Sequence, residues 1–124
     1  MRGRKVLCVS FDMTVSDIRC AALREAGYAV TGTTRVKEAL DILSREGFDL
    51  VIVGHRFPTA DKYVLTVEAE EKENTPVLLV CGASADRDVP AAGRVYALEG
   101  TPGLCAAAAA LLPEKVGGAQ RVAA

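Results

Sequence analysis

The chain lacks any apolar run long enough to cross a bilayer or to act as a secretory leader. Its first such run is only Val6 to Val9, against the roughly 20 residues that a spanning helix needs. It also lacks an excess of charge of either sign. Fifteen basic side chains against sixteen acidic ones leave a formal net charge of -1, so no basic face invites nucleic acid. Arg2, Arg4 and Lys5 are too few to form a basic arm. There is a single histidine and no C-x-x-C pair: Cys8, Cys20, Cys81 and Cys105 stand far apart. That argues against a structural metal site and for reduced, mostly buried thiols. No internal repeat and no low-complexity linker interrupts the sequence. These absences lead us to expect one cytoplasmic domain with no membrane contact, no nucleic-acid binding of its own, no metal and no cofactor.

What is present is a regular alternation of apolar runs and helical patterns. The 124 residues, half of them apolar and a quarter charged, are enough for one domain with a real core. The organising stretch is Asp49-Leu-Val-Ile-Val-Gly-His-Arg-Phe-Pro58. Leu50 to Val53 carry no polar side chain, so both faces of this strand should be buried, as in a parallel sheet covered on both sides. Val6 to Val9 and Pro76 to Val80 read the same way. Tyr28 to Thr33 and Val95 to Leu98 are two further strands.

Helical patterns lie between them. Thr14 to Asp17 resembles a capping box, followed by a helix with Val15, Ile18, Ala22 and Ala26 on one face and Gly27 at its end. Thr34 can cap a second helix whose Val36, Ala39, Leu40 and Leu43 follow the expected spacing. A third runs from about Ala60 to Lys72, with an acidic end that reads as solvated. Ala83 to Val89 allows at most two turns before Pro90. Thr101-Pro102 opens a last helix through Ala106 to Ala110, which Pro113 stops. The chain thus divides into a domain over residues 1–112 and a flexible tail over residues 113–124. The fold class is α/β: a doubly wound, flavodoxin-like, five-stranded parallel sheet of order 2-1-3-4-5. In such sheets ligands and chemistry sit past the carboxyl ends of the strands, which directs attention to Gly54.

The ordered set Lys5-Val-Leu-Cys-Val9, Leu23-Arg-Glu-Ala-Gly-Tyr28, Glu38-Ala-Leu40, Asp49 to Val53 with Pro58, and Pro76 to Val80 resembles the CheY-like receiver domain of bacterial response regulators, over roughly residues 4 to 112. The resemblance implies a signal-transduction module of the two-component, phosphorelay type. Receivers accept a phosphoryl group on an aspartate, with an acidic pair holding Mg²⁺, a hydroxyl after the fourth strand and a lysine after the fifth. Set against that pattern, the acidic pair falls on Ser10 and Phe11, with Asp12 acidic just beyond. The acceptor falls on Gly54, the hydroxyl on Cys81 and the lysine on Glu99. The segment from Cys81 to Tyr96 is also short, which truncates the fourth helix of the family. The resemblance therefore implies a degenerate receiver with no catalytic residue. It would act by phosphorylation-independent contact with a protein partner in a signalling pathway, or as a homodimer. An aspartate restored at position 54 would find only Asp12 nearby.

Two alternatives rest on other residues. Cys81 and Arg87 match the Cys-x5-Arg loop of cysteine-dependent phosphatases, although Asp86 and Asp88 beside the arginine would repel a phosphate dianion. A small-molecule sensor at the switch point above Gly54 fits the fold without a motif to support it. His55, next to Gly54, reads as a solvent-facing loop residue. Phe11 reads either as a core-capping aromatic or as a plug for the missing acidic pocket.

Overall fold

In chain order the elements are β1 (Lys5–Val9), α1 (Met13–Glu25), β2 (Ala29–Thr33), α2 (Val36–Arg45), β3 (Leu50–Val53), α3 (Thr59–Val67), β4 (Val77–Cys81), β5 (Gly93–Tyr96) and α4 (Gly100–Leu111). They come from a computed structural model that describes residues 4–82 and 86–112. All strand pairs are parallel and the sheet order is 2-1-3-4-5, the flavodoxin-like arrangement expected from the alternation. Every residue from Val6 to Val9, Leu50 to Val53 and Val77 to Cys81 is buried, because a parallel strand has helices over both faces.

The period of two divides these strands between two cores. Val6, Cys8, Leu50, Ile52, Leu78 and Val80 pack with Cys20 and Leu23 of α1 and Leu104 and Ala108 of α4. Leu7, Val9, Val51, Val53, Val77 and Leu79 pack with Ala39, Ile42 and Leu43 of α2 and Leu65 of α3.

Several local readings change. The cap of α1 is Asp12, whose carboxylate accepts from Val15 N at 2.8 Å, rather than Thr14. The buried face of α1 is Ser16, Arg19, Cys20 and Leu23, while Ile18 is 56 % exposed. Both stripes have helical spacing, and the tertiary fold selects the one that carries a serine and an arginine. Arg35, with an extended backbone, occupies the position before α2. Thr34 therefore does not cap it; the Thr33 hydroxyl accepts from Arg35 N at 3.3 Å instead. The last strand ends at Tyr96, and Ala97–Glu99 form a single 3₁₀ turn. Thr101 and Pro102 lie inside the first turn of α4 rather than at its cap.

Helix α3 continues as a π-helical turn over Glu68–Lys72, which widens the helix and aims Glu70 inward. The Glu70 carboxylate accepts from Val77 N and from Ala92 N, each at 2.8 Å. This part of the acidic run is thus a staple between α3, β4 and the following connection, not a solvated end.

That connection carries no helix among the described residues 86–92, and residues 83–85 of the expected two turns lie outside the described residues. Asp86 sits at φ +47°, in the left-handed region that a right-handed helix excludes, and Pro90 follows. Side-chain bonds hold the loop instead. Lys62 Nζ lies 2.6 Å from Asp86 Oδ2, with the two side chains 6 % and 12 % exposed. The Thr59 hydroxyl donates to Asp86 Oδ1 at 3.0 Å. Arg94 donates to the carbonyls of Asp86 and Val89. Val89, fully buried, fills the α2–α3 side of the sheet where a helix would otherwise lie. The tail expected over residues 113–124 lies outside the described residues.

Two expectations follow from this packing. Ile52→Ala, in a site with no exposed surface, should lower unfolding free energy by about 2–5 kcal/mol, read from urea denaturation; a loss near zero would take β3 out of the core. Asp86→Asn leaves the Lys62 ammonium buried without a counter-charge and should cost about 3–5 kcal/mol. The bond from Lys62, then that from Thr59, holds the folded pKa of Asp86 below its ordinary value. Its contribution is therefore complete above the unfolded pKa of about 4 and is lost as pH falls through the lower folded value. A pH series of urea curves should show this acid-side loss in the wild type and a smaller one in Asp86→Asn.

Candidate functional site

The carboxyl ends of β1, β3 and β4 converge where α1 begins. Gly54 continues the ladder past β3, its N–H donating to Val9 O at 2.8 Å. A side chain there would crowd its neighbours. A Cβ built on Gly54 would lie 2.7 Å from Arg19 Nη1 and 3.1 Å from Val9 O. The end of the Arg19 side chain thus lies in the volume that a residue-54 Cβ would take and would have to shift to admit one.

Arg19 is only 9 % exposed. Its Nη1 is buried with no hydrogen-bond partner. Its Nη2 approaches His55 Nδ1 at 3.4 Å. Arginine can only donate, so this contact requires Nδ1 to be the bare nitrogen, with the ring proton on Nε2. Burial lowers the pKa of Arg19. Burial, followed by the charges of Arg19 and Arg56, lowers that of His55, which favours the neutral imidazole at neutral pH.

Phe11 and His55 meet edge to face at 5.3 Å between ring centroids, and the Arg56 guanidinium lies 4.8 Å from the Phe11 centroid. Phe11 is half-buried. It roofs the loops as part of this stack, while Arg19 is the group that lies against Gly54. His55 is half-buried rather than free in solvent.

The other residues singled out from sequence are engaged locally. Ser10 is fully buried, with its N–H donating to Thr33 O at 3.0 Å and its hydroxyl 3.7 Å from Cys8 Sγ. Asp12 is exposed and caps α1. Cys81 is buried at the end of β4, and burial, then the charge of Asp86, raises its thiol pKa. Arg87 is exposed. Glu99 is exposed in the 3₁₀ turn, its carboxylate accepting from Tyr96 N at 3.3 Å.

Mg²⁺ takes an octahedron of oxygen ligands. The residues at the receiver-type positions do not fit it: one carboxylate is committed to a helix cap, one position is aromatic, one has no side chain, and a fixed cation stands over that gap. Among the described residues no group of three His, Cys, Asp or Glu side chains could hold a metal ion. No described helix is long and apolar enough to cross a membrane.

Arg19 was not legible as a site residue, because the apolar stripe Val15, Ile18, Ala22 and Ala26 does not include it. The available signal was its spacing with Ser16, Cys20 and Leu23, which forms a second helical stripe. It also corrects the surroundings expected for an aspartate at 54, which would meet a cation and not Asp12 alone.

No protein-family model matches the sequence, and no curated protein matches it. Solved structures do. The chain is similar to the chemotaxis response regulator CheY4 of Vibrio cholerae, with TM-score 0.74 and 20% identity over 88% of this chain and 98% of that one. It is similar to a response regulator receiver protein of Sinorhizobium medicae, with TM-score 0.79 and 21% identity over 89% and 94%. It is also similar to the response regulator TrrA of Thermotoga maritima, solved with Mg²⁺ and BeF, with TM-score 0.76 and 20% identity over 87% and 98%. The fold is that of the CheY-like receiver domains.

Proposed function

We propose that this chain is a receiver-type signalling module that takes no phosphoryl group and acts by binding a protein partner through its surface, in the cytoplasm. The observation that carries the reading is the Arg19 guanidinium packed against Gly54. Phosphoryl transfer to a receiver needs a carboxylate nucleophile and a metal ion that neutralises the transferring group. Here the nucleophile position has no side chain, and the adjoining volume holds a cation that cannot leave its proton behind. The partner belongs to a signalling pathway, and a second copy of the chain is one form it can take.

The phosphatase alternative has less support. A thiolate nucleophile needs a lowered pKa, whereas burial and Asp86 raise that of Cys81. Asp86 is paired with Lys62. Hydrolysis of an aryl phosphate that disappears in Cys81→Ser would revive it.

Incubation with acetyl phosphate and Mg²⁺, followed by intact mass, should show no phosphoryl adduct on the wild type. Gly54→Asp should give none either, because the new carboxylate would be drawn to Arg19 and would still have no metal site beside it. A stable adduct on residue 54 of that variant would overturn the reading. Capture of a partner from the native cell should be equally efficient with and without acetyl phosphate.

A further inference from the structure

We propose that the cleft between α1 and α4 binds a small apolar monocarboxylate, whose carboxylate pairs with Arg19. This goes beyond the reading above, which requires no ligand. The cleft has a volume of about 340 Å³, inside the range of about 300–1,000 Å³ usual for small-molecule sites. Its walls are Val15 and Ile18 of α1, Val80 and Val95 at the ends of β4 and β5, and Leu104 of α4. Arg19 is the one charged side chain among the described residues that line it.

No carboxylate is hydrogen-bonded to that charge among the described residues. Nη1 is buried and has no acceptor, and Nη2 has only the 3.4 Å contact with His55. Asp12, a carboxylate that acts on Arg19 electrostatically, is engaged in capping α1. A buried cation without a partner is costly, and a carboxylate offers a guanidinium two parallel charge-assisted bonds. The class of ligand follows from the lining. One cation matches a monoanion. The mostly apolar walls favour a hydrocarbon body over a sugar or a free phosphate dianion, whose remaining polar atoms would find, besides Arg19, only the side chains of Tyr96 and Thr101. Ile18, more than half exposed on α1, extends the apolar lining. Since Nη1 lies against Gly54, binding draws the guanidinium from that position toward the cleft.

The probe is octanoate, with octan-1-ol as its uncharged counterpart, added to the full chain and followed by methyl NMR and calorimetry. Octanoate should shift the methyl signals of Val15, Ile18, Val80, Val95 and Leu104. Octan-1-ol should bind at least about tenfold more weakly, the margin expected for a lost charge-assisted bond. Arg19→Met should erase that difference. Absence of octanoate shifts at these methyls, or equal binding of the two probes by the wild type, would overturn the proposal. The wild-type comparison decides even if Arg19→Met does not fold. A negative result leaves the acetyl phosphate outcome, and the reading that depends on it, untouched.

Discussion

Neighbouring parallel strands cannot be joined by a tight turn; the chain has to cross over one face of the sheet to begin the next strand. That constraint governs the architecture. Each crossover lays down a cover, so the inner strands lose contact with water on both sides and become continuously apolar. Their side faces are then used up by packing, and the carboxyl ends are the places left where side chains from several strands can meet. The crossover between β4 and β5 satisfies the same requirement without a helix among its described residues. Val89 supplies the apolar cover, and Asp86, Lys62, Glu70 and Arg94 supply the bonds that a helix would have made within its own backbone.

At the carboxyl edge, Gly54 and Arg19 are two halves of one steric fact. The absence of a side chain on one is the space occupied by the other. Read in isolation, Gly54 says only that this position carries no side chain. The pair says more: a guanidinium lies in the gap. Arg19 and Arg56 place two cations beside His55 at this edge, and both lower its pKa after burial does.

Much of the fold was legible because its signal is redundant. The uninterrupted runs at Val6–Val9, Leu50–Val53 and Val77–Val80 can be buried on both sides in few ways, and their spacing leaves room for helices between them. Helix α1 was misread because Val15, Ile18 and Ala22 compete with Ser16, Cys20 and Leu23 for the same helical period, and the apolar count favours the wrong stripe. Only the packed sheet decides. Caps were misplaced for a related reason: Asp12, Thr14 and Thr34 are all competent side chains, and the backbone path selects among them. The positions of Ser10, Phe11, Gly54 and Cys81 at one edge followed from the strand ends. What that edge contains did not, because Arg19 reaches it from a helix, and Lys62 and Glu70 reach the neighbouring loop from another helix. Long side chains that cross between elements leave no periodic trace in sequence.

The sheet is also unequal from centre to edge. β3 is buried at every position, whereas each edge strand buries a single residue: Thr33 of the five in β2 and Val95 of the four in β5. Helix α4 behind it offers Leu104 and Ala108 to the core among a run of alanines, whose small side chains remove little area from water. Local opening costs least where buried apolar contact is sparse. The two edges of the sheet are therefore where local opening costs least, while β1, β3 and β4 stay buried. The staples from Lys62 and Glu70 end at Asp86 and Ala92, and Arg94 of β5 donates back to the carbonyls of Asp86 and Val89, so the loop before β5 is tied on both sides.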